Sequence, residues 1–471
     1  MVKKNLREFF DDLSQSRDSW IDKSSYFYEN DYKYMRFLIP ENSSILELGC
    51  GTGRLIHELK PSFATGVDIS KKMILEAKNN YSNYEFFNLD IESEKLVNTI
   101  KKKYDFIILS DLIGLVDDVQ EVLSSLHHFC HSNSKIVLIG HSWRWEKILN
   151  LAEFFRQKMP SFETNWFSDF DLQNLFKLSD LEVIKKEMRI LSPRSFFGLG
   201  RILNKFFATL PLIRGICLRN YYVLMPKREI FEEKSVTVLI PCRNEKGNIE
   251  NAVKRLPDFG RELEIFFVEG NSHDGTLDEI KRVQKKYSDK NIRYCQQDGI
   301  GKGDAVRKGF DNAKGEILMI LDADLTVKPE DLIKFYNAIK LGKGDFINGS
   351  RLIYPMEDNA MRFLNFWANR TFSVIFSWLL NQRITDTLCG TKVISKENYI
   401  KLVENRSYFG DFDPFGDFDL IFGASKLNLR IIEVPIRYQA REYGSTQISR
   451  FKHGLLLLRM VLFAYKKLKL I

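Results

Sequence analysis

The stretch EILMILDADLTVKPEDL (316–332) decides the fold of the second half of the chain. Its apolar run is short enough for a buried strand, and it ends at two acids, Asp322 and Asp324. Because strand side chains alternate between faces, residues two apart share a face, so both carboxylates can reach one divalent cation. Magnesium or manganese, which keep water ligands and bind phosphate oxygens, suit two carboxylates better than zinc does. The alternative is a plain strand end before a Pro-started helix.

Short apolar runs alternate with helix-like segments throughout the chain. In the first half the runs are SILELG (44–49), ATGVDI (64–69), YEFFNL (84–89), YDFIILS (104–110) and KIVLIG (135–140). In the second half, besides the quoted stretch, they are SVTVLIP (235–241), EIFFVEG (264–270), IRYCQQ (292–297) and DFINGSR (345–351). This rhythm is typical of parallel sheets. With the charged segment 226–235 between the two series, it predicts an α/β chain of two domains.

Composition limits the classes of function. The chain has 471 residues, 44% of them hydrophobic, which excludes a single small module and a disordered chain. Its net charge of +8 favours a polyanionic partner without choosing among nucleic acid, lipid headgroups and phosphorylated substrates. Six widely spaced cysteines without a CxxC pair predict neither zinc nor disulfides, as in a reducing cytosol. No run of 18 apolar residues occurs, so no membrane span is expected.

A glycine-rich turn in the first half carries the first candidate site. In ILELGCGTGRL (45–55) the candidate residues lie where a strand turns into a helix: Glu47, Gly49, Gly51 and Gly53. The GxGxG spacing differs from the dinucleotide pattern GxGxxG, and an acid two residues before the first glycine suits a cationic ligand. Asp68, at the end of the next strand, can accept hydrogen bonds from a ribose, and Asp90, after the third, from an adenine amino group. The alternative is a tight turn flanked by helix-capping acids.

These residues, in this order, resemble the class I S-adenosylmethionine-dependent methyltransferases over residues 30 to 190. The resemblance implies a Rossmann-like domain that binds S-adenosyl-L-methionine, with Glu47 and Gly49 near the methionine portion, Asp68 on the ribose and Asp90 on the adenine. It identifies neither the methyl acceptor nor a base. Asp111 either faces the transferring methyl or is a solvated loop acid, and His127, His128 and His141 are bases without a supporting constellation.

The second half contains an ordered set of motifs around the two acids. They are PCRNE (241–245), VEGNSHDGT (268–276), GIGKGDAVRKGF (299–310), DAD (322–324) and NGSR (348–351). The set resembles family 2 glycosyltransferases of the GT-A fold, especially those like dolichyl-phosphate mannose synthase, over residues 234 to 445. The resemblance implies that Asp322 and Asp324 hold Mg²⁺ or Mn²⁺. It assigns the nucleotide sugar to Pro241, Glu245, Glu269, Lys302, Arg307, Asp322 and Arg351.

Three later segments extend that resemblance to the acceptor. RITDTLCGTKVISK (383–396) resembles the acceptor loop, DFDPFGDFDLIFGASKLNLRIIEVPIRY (411–438) resembles the segment that carries the catalytic-region acids, and REYGSTQIS (441–449) resembles a phosphate-contacting segment. The expected acceptor or phosphate residues are Asp386, Cys389, Gly390, Arg441 and Tyr443. Between these segments, Asp417 or Asp419 serves as a base if the acceptor is a hydroxyl, whereas an ionised phosphate acceptor needs none. The acceptor is therefore either a lipid phosphate or a glycan.

The predicted organisation is a methyltransferase domain (1–190), an amphipathic connecting segment (191–233), a glycosyltransferase domain (234–445) and an amphipathic C-terminal helix (446–471). The two amphipathic segments either lie on a membrane surface or pack on protein, within this chain or in an oligomer. We expect a cytoplasmic enzyme, peripheral on the inner face of the membrane if those segments bind lipid. Nucleic acid is not an expected partner, because no base-stacking aromatic motif flanks the first site.

Two other functions fit the same motifs. The first domain either catalyses methyl transfer or is a non-catalytic cofactor-binding module that recruits or regulates the glycosyltransferase. A membrane-peripheral scaffold with two vestigial sites is the third interpretation, and the intact DAD and GxGxG patterns argue against it.

Overall fold

The computed structural model describes residues 2–162, 165–227, 232–351, 363–409, 416–439, 443 and 450–471. Contacts divide the chain into two compact units, residues 1–227 with 469–471 and residues 228–468. Each unit is an α/β structure built on a mainly parallel sheet, so the predicted fold class of two Rossmann-like domains is confirmed.

The first unit contains a sheet with seven strands in its described residues, in the order β3-β2-β1-β4-β5-β7-β6. The strands are β1 Ser44–Leu48, β2 Phe63–Asp68, β3 Glu85–Asn88, β4 Tyr104–Ser110, β5 Cys130–His141, β6 Leu181–Arg189 and β7 Arg219–Pro226. The α-helices are α1 Val2–Lys23, α2 Ser25–Leu38, α3 Arg54–Leu59, α4 Lys71–Asn80, α5 Glu94–Thr99, α6 Val119–Ser125, α7 Glu146–Phe154, α8 Asp169–Leu178 and α9 Leu199–Ile202. Strands β1 to β5 pair in parallel, and β7 runs antiparallel between β5 and β6.

Strand β7 lies within the stretch that the sequence analysis assigned to a connecting segment. All but its last residue, Pro226, are buried, and it pairs with β5 and β6 over most of its length. Its sequence RNYYVLMP (219–226) is mostly apolar, as expected for an internal strand that is covered on both faces. The first unit therefore extends beyond residue 190.

The second unit also contains a sheet with seven strands in its described residues, in the order β10-β9-β8-β11-β13-β12-β14. The strands are β8 Val236–Cys242, β9 Leu263–Glu269, β10 Asn291–Gln296, β11 Ile317–Ile320, β12 Phe346–Ser350, β13 Lys392–Ser395 and β14 Ile431–Pro435. The α-helices are α10 Ile249–Arg255, α11 Thr276–Lys286, α12 Lys302–Asn312, α13 Leu332–Lys340, α14 Phe363–Leu380, α15 Lys396–Glu404, α16 Asp417–Lys426 and α17 Arg450–Ala464. Strand β13 runs antiparallel between β11 and β12.

Apolar cores on both faces hold each sheet. Side chains such as Ile107, Leu109 and Leu138 in the first sheet, and Val238 and Phe267 in the second, are essentially inaccessible to solvent. This burial accounts for the near-continuous apolar runs from which the strands were predicted. Among the described residues, no helix is long and apolar enough to cross a membrane.

The last three residues of the chain belong to the first unit. The ammonium Nζ of Lys469 lies 2.5 Å from Oε2 of Glu187 on β6, and both side chains are buried. Arg189 donates a hydrogen bond to the carbonyl of Lys469 at 3.0 Å. Burial lowers the pKa of Lys469 to about 8, against the attraction of Glu187. The chain end is thus an internal part of the first unit.

Candidate functional sites

The first candidate site is a cavity of about 1010 Å³ at the carboxyl ends of the first sheet's strands. Most of the predicted cofactor residues line this cavity: Glu47, Gly49, Gly51, Asp68 and Asp90. Gly53 has a left-handed φ of 78°, and a Cβ there would come within 2.8 Å of the Phe86 ring. The turn therefore requires glycine at 53 for backbone conformation and packing, whereas Gly49 and Gly51 face the cavity.

Glu47 is the most unusual group in this cavity. Its side chain is buried, and its Oε2 has no hydrogen-bond partner among the described residues. Burial raises the pKa of Glu47 to about 8, against the opposing charge of Arg17. A buried carboxyl that lacks a partner is costly unless a ligand supplies one. Glu47 is thus poised for a cationic or hydrogen-bond-donating group.

Arg17 reaches the same turn from helix α1. Its Nη1 donates to Oγ1 of Thr52 at 3.1 Å, and a Cβ on Gly51 would lie only 2.7 Å from its guanidinium carbon. The guanidinium therefore fills the space above the glycine turn, beside Glu47. One cavity wall thus presents a carboxyl group and a guanidinium cation side by side. This pair matches the ammonium and the carboxylate of an amino acid. Sequence reasoning missed Arg17, because nothing local shows that α1 lies on the turn 49–53.

Asp68 and Asp90 are held by backbone amides. Asp68 accepts from the amides of Gly51 and Ser70, both at 2.8 Å, and burial raises its pKa above the ordinary value despite these bonds. Asp90 accepts from the amide of Glu92 at 3.0 Å and lies 3.1 Å from Nζ of Lys3 on α1. Asp68 is thereby fixed at the end of β2, whereas Asp90 lies in the loop two residues beyond β3 rather than ending that strand, and their cofactor contacts stay predictions.

A charge network, buried at Arg219 and Asp31, lies at another part of the cavity wall. His141 Nδ1 is 3.0 Å from Oδ1 of Asp111, and Arg219 Nη1 is 2.5 Å from the same oxygen. Arg219 is also paired with Asp31 at 2.9 Å. Burial alone would raise the pKa of Asp111, but Arg219 and His141 hold it well below its ordinary range. Asp111 is therefore an ionised acid that orients His141.

This network places Asp111 and the three histidines differently. Asp111 has a left-handed φ of 53° and lines the cavity with an exposed side chain, so its role toward the methyl group stays a prediction. With Nδ1 hydrogen-bonded to Asp111, a neutral His141 ring carries its lone pair on Nε2. His127 and His128 instead contact the carbonyls of Ser179 and Ser125. The sequence signal for the network was weak because Asp31, Asp111 and Arg219 are far apart in the chain.

The second candidate site surrounds Lys302 at the start of α12. Nζ of Lys302 lies 2.7 Å from Oδ1 of Asp322 and 4.0 Å from Oδ1 of Asp417. Burial opposes the charge of Lys302, but Asp322 and Asp417 raise its pKa above the ordinary value. Burial likewise opposes ionisation of Asp322, and Lys302 with Lys392 lowers its pKa. Three predicted residues thus meet in one partly buried cluster of charge.

Asp322 and Asp324 follow the strand rather than lying on it. Strand β11 ends at Ile320, so the alternation of strand side chains does not explain their arrangement. Asp324 is instead fixed by Thr326, whose amide and hydroxyl donate to Oδ1 at 3.1 and 2.8 Å. Among the described residues, no group of three or more His, Cys, Asp or Glu side chains converges as a metal site.

Glycines bring two loops against this cluster. A Cβ on Gly390 would lie 1.9 Å from Oδ2 of Asp322, so the backbone must touch the carboxylate there. Gly416 has a left-handed φ of 75°, and a Cβ on it would come within 2.5 Å of the Gly303 Cα. Helix α16 then begins at Asp417. The glycines therefore set how closely the acceptor loop and α16 approach Lys302.

The two predicted bases have different partners. Oδ1 of Asp417 lies 3.1 Å from Nζ of Lys392, within the charged cluster. Oδ2 of Asp419 lies 3.0 Å from Nε of Arg406, which is outside the cluster. Both acids are buried on α16. The geometry favours Asp417 over Asp419 as the acid that acts in the site.

Asp386 and Cys389 support the cluster from the acceptor loop. Asp386 is buried and accepts hydrogen bonds from both Nε and Nη2 of Arg351, at 2.7 and 2.8 Å. Burial raises the pKa of the Cys389 thiol to about 12, so it is not a nucleophile at neutral pH. The carbonyl of Cys389 accepts a hydrogen bond from Nζ of Lys392. These residues thus have partners that fix the loop.

The predicted nucleoside residues are held by their own loops. Oε1 of Glu269 accepts from the Ser272 amide at 2.6 Å, and Oε2 of Glu245 accepts from Asn248 at 2.7 Å. Burial alone would raise the pKa of Glu269, but the hydrogen bonds that Glu269 accepts, first of all from Ser272, keep its pKa below the ordinary value. Their roles stay predictions.

The remaining predicted residues lie at separate places. Pro241 is the next-to-last residue of β8, and Arg307 is half-buried on α12. Tyr443 is exposed, and its ring covers Gly247. Arg441 lies outside the described residues.

Comparisons with known proteins agree with the two units. Residues 39–187 match the family model for a methyltransferase domain, and residues 237–402 match the model for glycosyl transferase family 2. The predicted fusion of a methyltransferase domain with a family 2 glycosyltransferase domain is thereby confirmed.

Two curated relatives match the second unit's family. The chain is 36% identical over 120 residues to dolichol-phosphate mannosyltransferase from Pyrococcus furiosus, which is 25% of this chain and 33% of that protein. It is 25% identical over 219 residues to glycosyltransferase AglD from Haloferax volcanii, which is 45% of this chain and 34% of that protein. The chain thus spans about a third of the length of each. Among solved structures, glucosyl-3-phosphoglycerate synthase from Mycobacterium tuberculosis with bound uridine-diphosphate has a TM-score of 0.38 at 16% identity, covering 50% of this chain and 80% of that chain.

Proposed function

We propose that the chain is a bifunctional enzyme, an S-adenosylmethionine-dependent methyltransferase joined to a metal-dependent inverting glycosyltransferase. The second activity moves a sugar from a nucleoside diphosphate sugar to a lipid phosphate or glycan. The contact between Lys302 and Asp322, beside Asp417, is the observation that carries the glycosyltransferase proposal. A relative named dolichol-phosphate mannosyltransferase supports a lipid phosphate as the acceptor.

The carboxylates of the second site fit a magnesium or manganese ion. The ammonium of Lys302 lies 2.7 Å from Asp322. The carboxylate of Asp322 therefore already binds a cationic group. Asp322 and Asp324 would hold the metal, whose positive charge would stabilise a diphosphate leaving group. Thr326 orients Asp324, and Lys302 supplies a second positive charge for phosphate oxygens. Asp417, which lies beside Lys392, would accept a proton from a hydroxyl acceptor.

The first site fits S-adenosyl-L-methionine. Glu47 would bind the ammonium of the methionine portion, and Arg17 would bind its carboxylate. Asp68 and Asp90 would accept hydrogen bonds from the ribose and the adenine. The bound cofactor supplies an electrophilic methyl group. His141, oriented by Asp111, would accept the proton of a hydroxyl acceptor at Nε2.

Helix α17 supports placement of the glycosyltransferase at a membrane surface, on the cytoplasmic side. Leu457 and Met460 are buried in the second unit, whereas Leu455, Leu458 and Leu462 form an exposed stripe. Basic residues accompany this stripe in the stretch 450–471. An apolar stripe with basic neighbours suits an anionic lipid interface.

The test uses the full chain and measures nucleoside diphosphate release from UDP-glucose, GDP-mannose and related donors, with and without Mn²⁺. We expect Mn²⁺-dependent release that Asp322→Ala lowers at least about a hundredfold, while Asp298→Asn, a substitution at an exposed ion pair with Lys308, leaves it unchanged. Equal release by wild type and Asp322→Ala would contradict the assignment. Calorimetry with S-adenosylmethionine tests the first site, and no binding would favour a non-catalytic module.

A further inference from the structure

The cavity of the first unit is larger than the cofactor residues require. Its volume of about 1010 Å³ is at the top of the range for pockets that enclose one drug-sized ligand. Apart from the cofactor residues, its lining includes parts of α1, α2 and the loop after β4, together with α7, the loop after it and residues 193–196. Many of these lining residues are apolar, including Ile148, Leu151, Phe155, Met159, Phe162 and Trp166. There is room for an apolar ligand beside the cofactor.

The apolar wall continues onto the protein surface. Ile148, Leu151, Phe155 and Phe196 line the cavity, yet each is more than half exposed to solvent. Helix α7 has no fully buried residue, although its sequence EKILNLAEF is rich in apolar side chains. Apolar residues of a water-soluble enzyme rarely line both a cavity and its exposed mouth without a binding role. We call Ile148, Leu151, Phe154, Phe155, Phe196 and Phe197 the apolar rim.

Two phenylalanines of the rim adopt unusual backbone conformations. Phe196 and Phe197 have φ values of 41° and 54°, in the left-handed region, and Phe197 is fully exposed. That region is unfavourable for a bulky residue, and a fully exposed ring gains nothing from packing. Such strain is expected where the exposed ring has a task.

The stretch that carries Phe196 and Phe197 is basic in sequence, whereas α7 carries Glu146 and Glu153 beside Lys147. The stretch 190–216 contains Arg194, Arg201, Lys205 and Arg214 and no acidic residue. Hydrogen bonds join it to the α7 region, from Arg194 to Gln157 and from Trp145 to the carbonyl of Ile216 at 2.8 Å. Exposed apolar side chains in a segment that carries arginine and lysine and no acid complement an anionic lipid surface.

We propose that the methyl acceptor is a membrane-borne amphiphile that enters the cavity through the apolar rim while the rim lies in the headgroup region of an anionic bilayer. The inference rests on the proposed methyltransferase function of this site. The apolar part of the acceptor contacts α7 and the rim, and its polar headgroup reaches the cavity floor, where His141 and Asp111 lie. A water-soluble acceptor would leave the rim exposed to water in every state.

The first experiment measures binding of the full chain to vesicles of phosphatidylcholine and phosphatidylglycerol, against vesicles of phosphatidylcholine alone. We expect Phe154→Ser/Phe197→Ser to lower partitioning onto the anionic vesicles at least about tenfold. The matched control is Phe170→Ser, because Phe170 on α8 is 82% exposed and Phe154 is 80% exposed. The comparison is repeated in a second background that carries Leu458→Ser/Leu462→Ser. Without these α17 leucines, lipid binding by α17 cannot hide a loss of binding by the rim. Equal binding by the rim variant and the control in both backgrounds would overturn the proposal.

The second experiment uses calorimetry to compare the affinities of two probes. Dodecyl β-maltoside, below its micellar concentration, is the amphiphile, and maltose is its headgroup alone. With S-adenosylhomocysteine bound, the wild type should bind the amphiphile and not maltose. Ile148→Asp/Phe155→Asp should weaken the amphiphile about tenfold or more and leave S-adenosylhomocysteine affinity unchanged. If S-adenosylhomocysteine binds but the amphiphile does not, or binds equally to the variant, the inference is wrong. If S-adenosylhomocysteine itself does not bind, the proposed methyltransferase function fails instead.

Discussion

In the first unit, the buried carboxyl of Glu47 has an oxygen without a hydrogen-bond partner among the described residues, whereas in the second unit Asp322 and Asp417 each lie close to a lysine. The two sites therefore differ in what a ligand must do. A cation entering the first site meets a buried carboxyl oxygen of Glu47 that is open for a new contact. A metal entering the second must compete with Lys302 for Asp322, so phosphate, which attracts Lys302, should enter with it.

The largest effect is expected within the second unit, where α16 carries two buried acids with different partners. Asp417→Asn should lower sugar transfer about 10²- to 10⁴-fold, because it removes the acid beside Lys302 and Lys392. Asp419→Asn is the matched control and should mainly lower thermal stability, because Arg406 loses its partner. Nucleoside diphosphate release and a thermal melt of each variant measure the two effects. Equal losses of activity at matched folded fractions would refute the distinction.

Glu47→Gln tests the buried carboxyl of the first unit. We expect about a 10- to 100-fold loss of S-adenosylmethionine affinity, because the amide cannot form an ion pair with the ammonium. Near pH 8 the free energy of unfolding of the same variant should exceed that of the wild type by on the order of 1 to 3 kcal/mol, so its melting temperature should be higher. Calorimetry and a melt at each pH measure both quantities.

The sign of this pH dependence follows from the raised pKa. The Glu47 carboxyl titrates near pH 8 in the folded chain and near its ordinary value of 4.5 when unfolded. Between these values the folded state binds more protons, so the free energy of unfolding falls as pH rises. The stability gain of Glu47→Gln should therefore be absent below about pH 4.5 and grow toward pH 8. A gain that is constant with pH would show that Glu47 is ionised in the empty site.

Arg17 gives a smaller and more specific effect. Arg17→Ala should weaken S-adenosylhomocysteine about tenfold, because its guanidinium loses the ligand carboxylate, and Arg17→Lys should be intermediate. Binding of 5′-methylthioadenosine, which lacks that carboxylate, should change less than about twofold. Equal weakening of both ligands would mean that Arg17 only supports the fold of the turn.

The smallest effect is expected at Thr326, which orients Asp324 in the second site. Thr326→Val removes the hydroxyl donor to Oδ1 of Asp324 and keeps the side-chain shape and the amide bond. The Mn²⁺ concentration for half-maximal activity should rise about three- to tenfold, with little change in the rate at saturating Mn²⁺. An unchanged Mn²⁺ requirement would indicate that Asp324 needs no such support.

The parts of these sites that sequence could predict are local. A glycine turn after a strand, or an acid at a strand end, follows from a few neighbouring residues, so Glu47, Asp68 and Asp322 were found. Even there the local rule had a limit, since Asp322 and Asp324 lie beyond the last residue of β11. The alternation of strand side chains does not extend into the loop.

The parts that sequence could not predict depend on distant contacts. Arg17 reaches Thr52 from another helix, and Arg219 joins Asp31 and Asp111 across most of the first unit. Strand β7 was assigned to a connecting segment because its partners, β5 and β6, precede it by many residues. No local pattern encodes such pairings, which tertiary packing alone specifies.

The ion pair between Lys469 and Glu187 has a consequence for attempts to separate the two activities. A gene fragment ending at residue 227 would encode the entire first sheet but omit Lys469, the buried partner of Glu187. Loss of one member of a buried pair costs about 3 to 5 kcal/mol, enough to make such a fragment insoluble or unfolded. Inactivating point substitutions in the intact polypeptide are therefore the sounder route to assigning each reaction to its half.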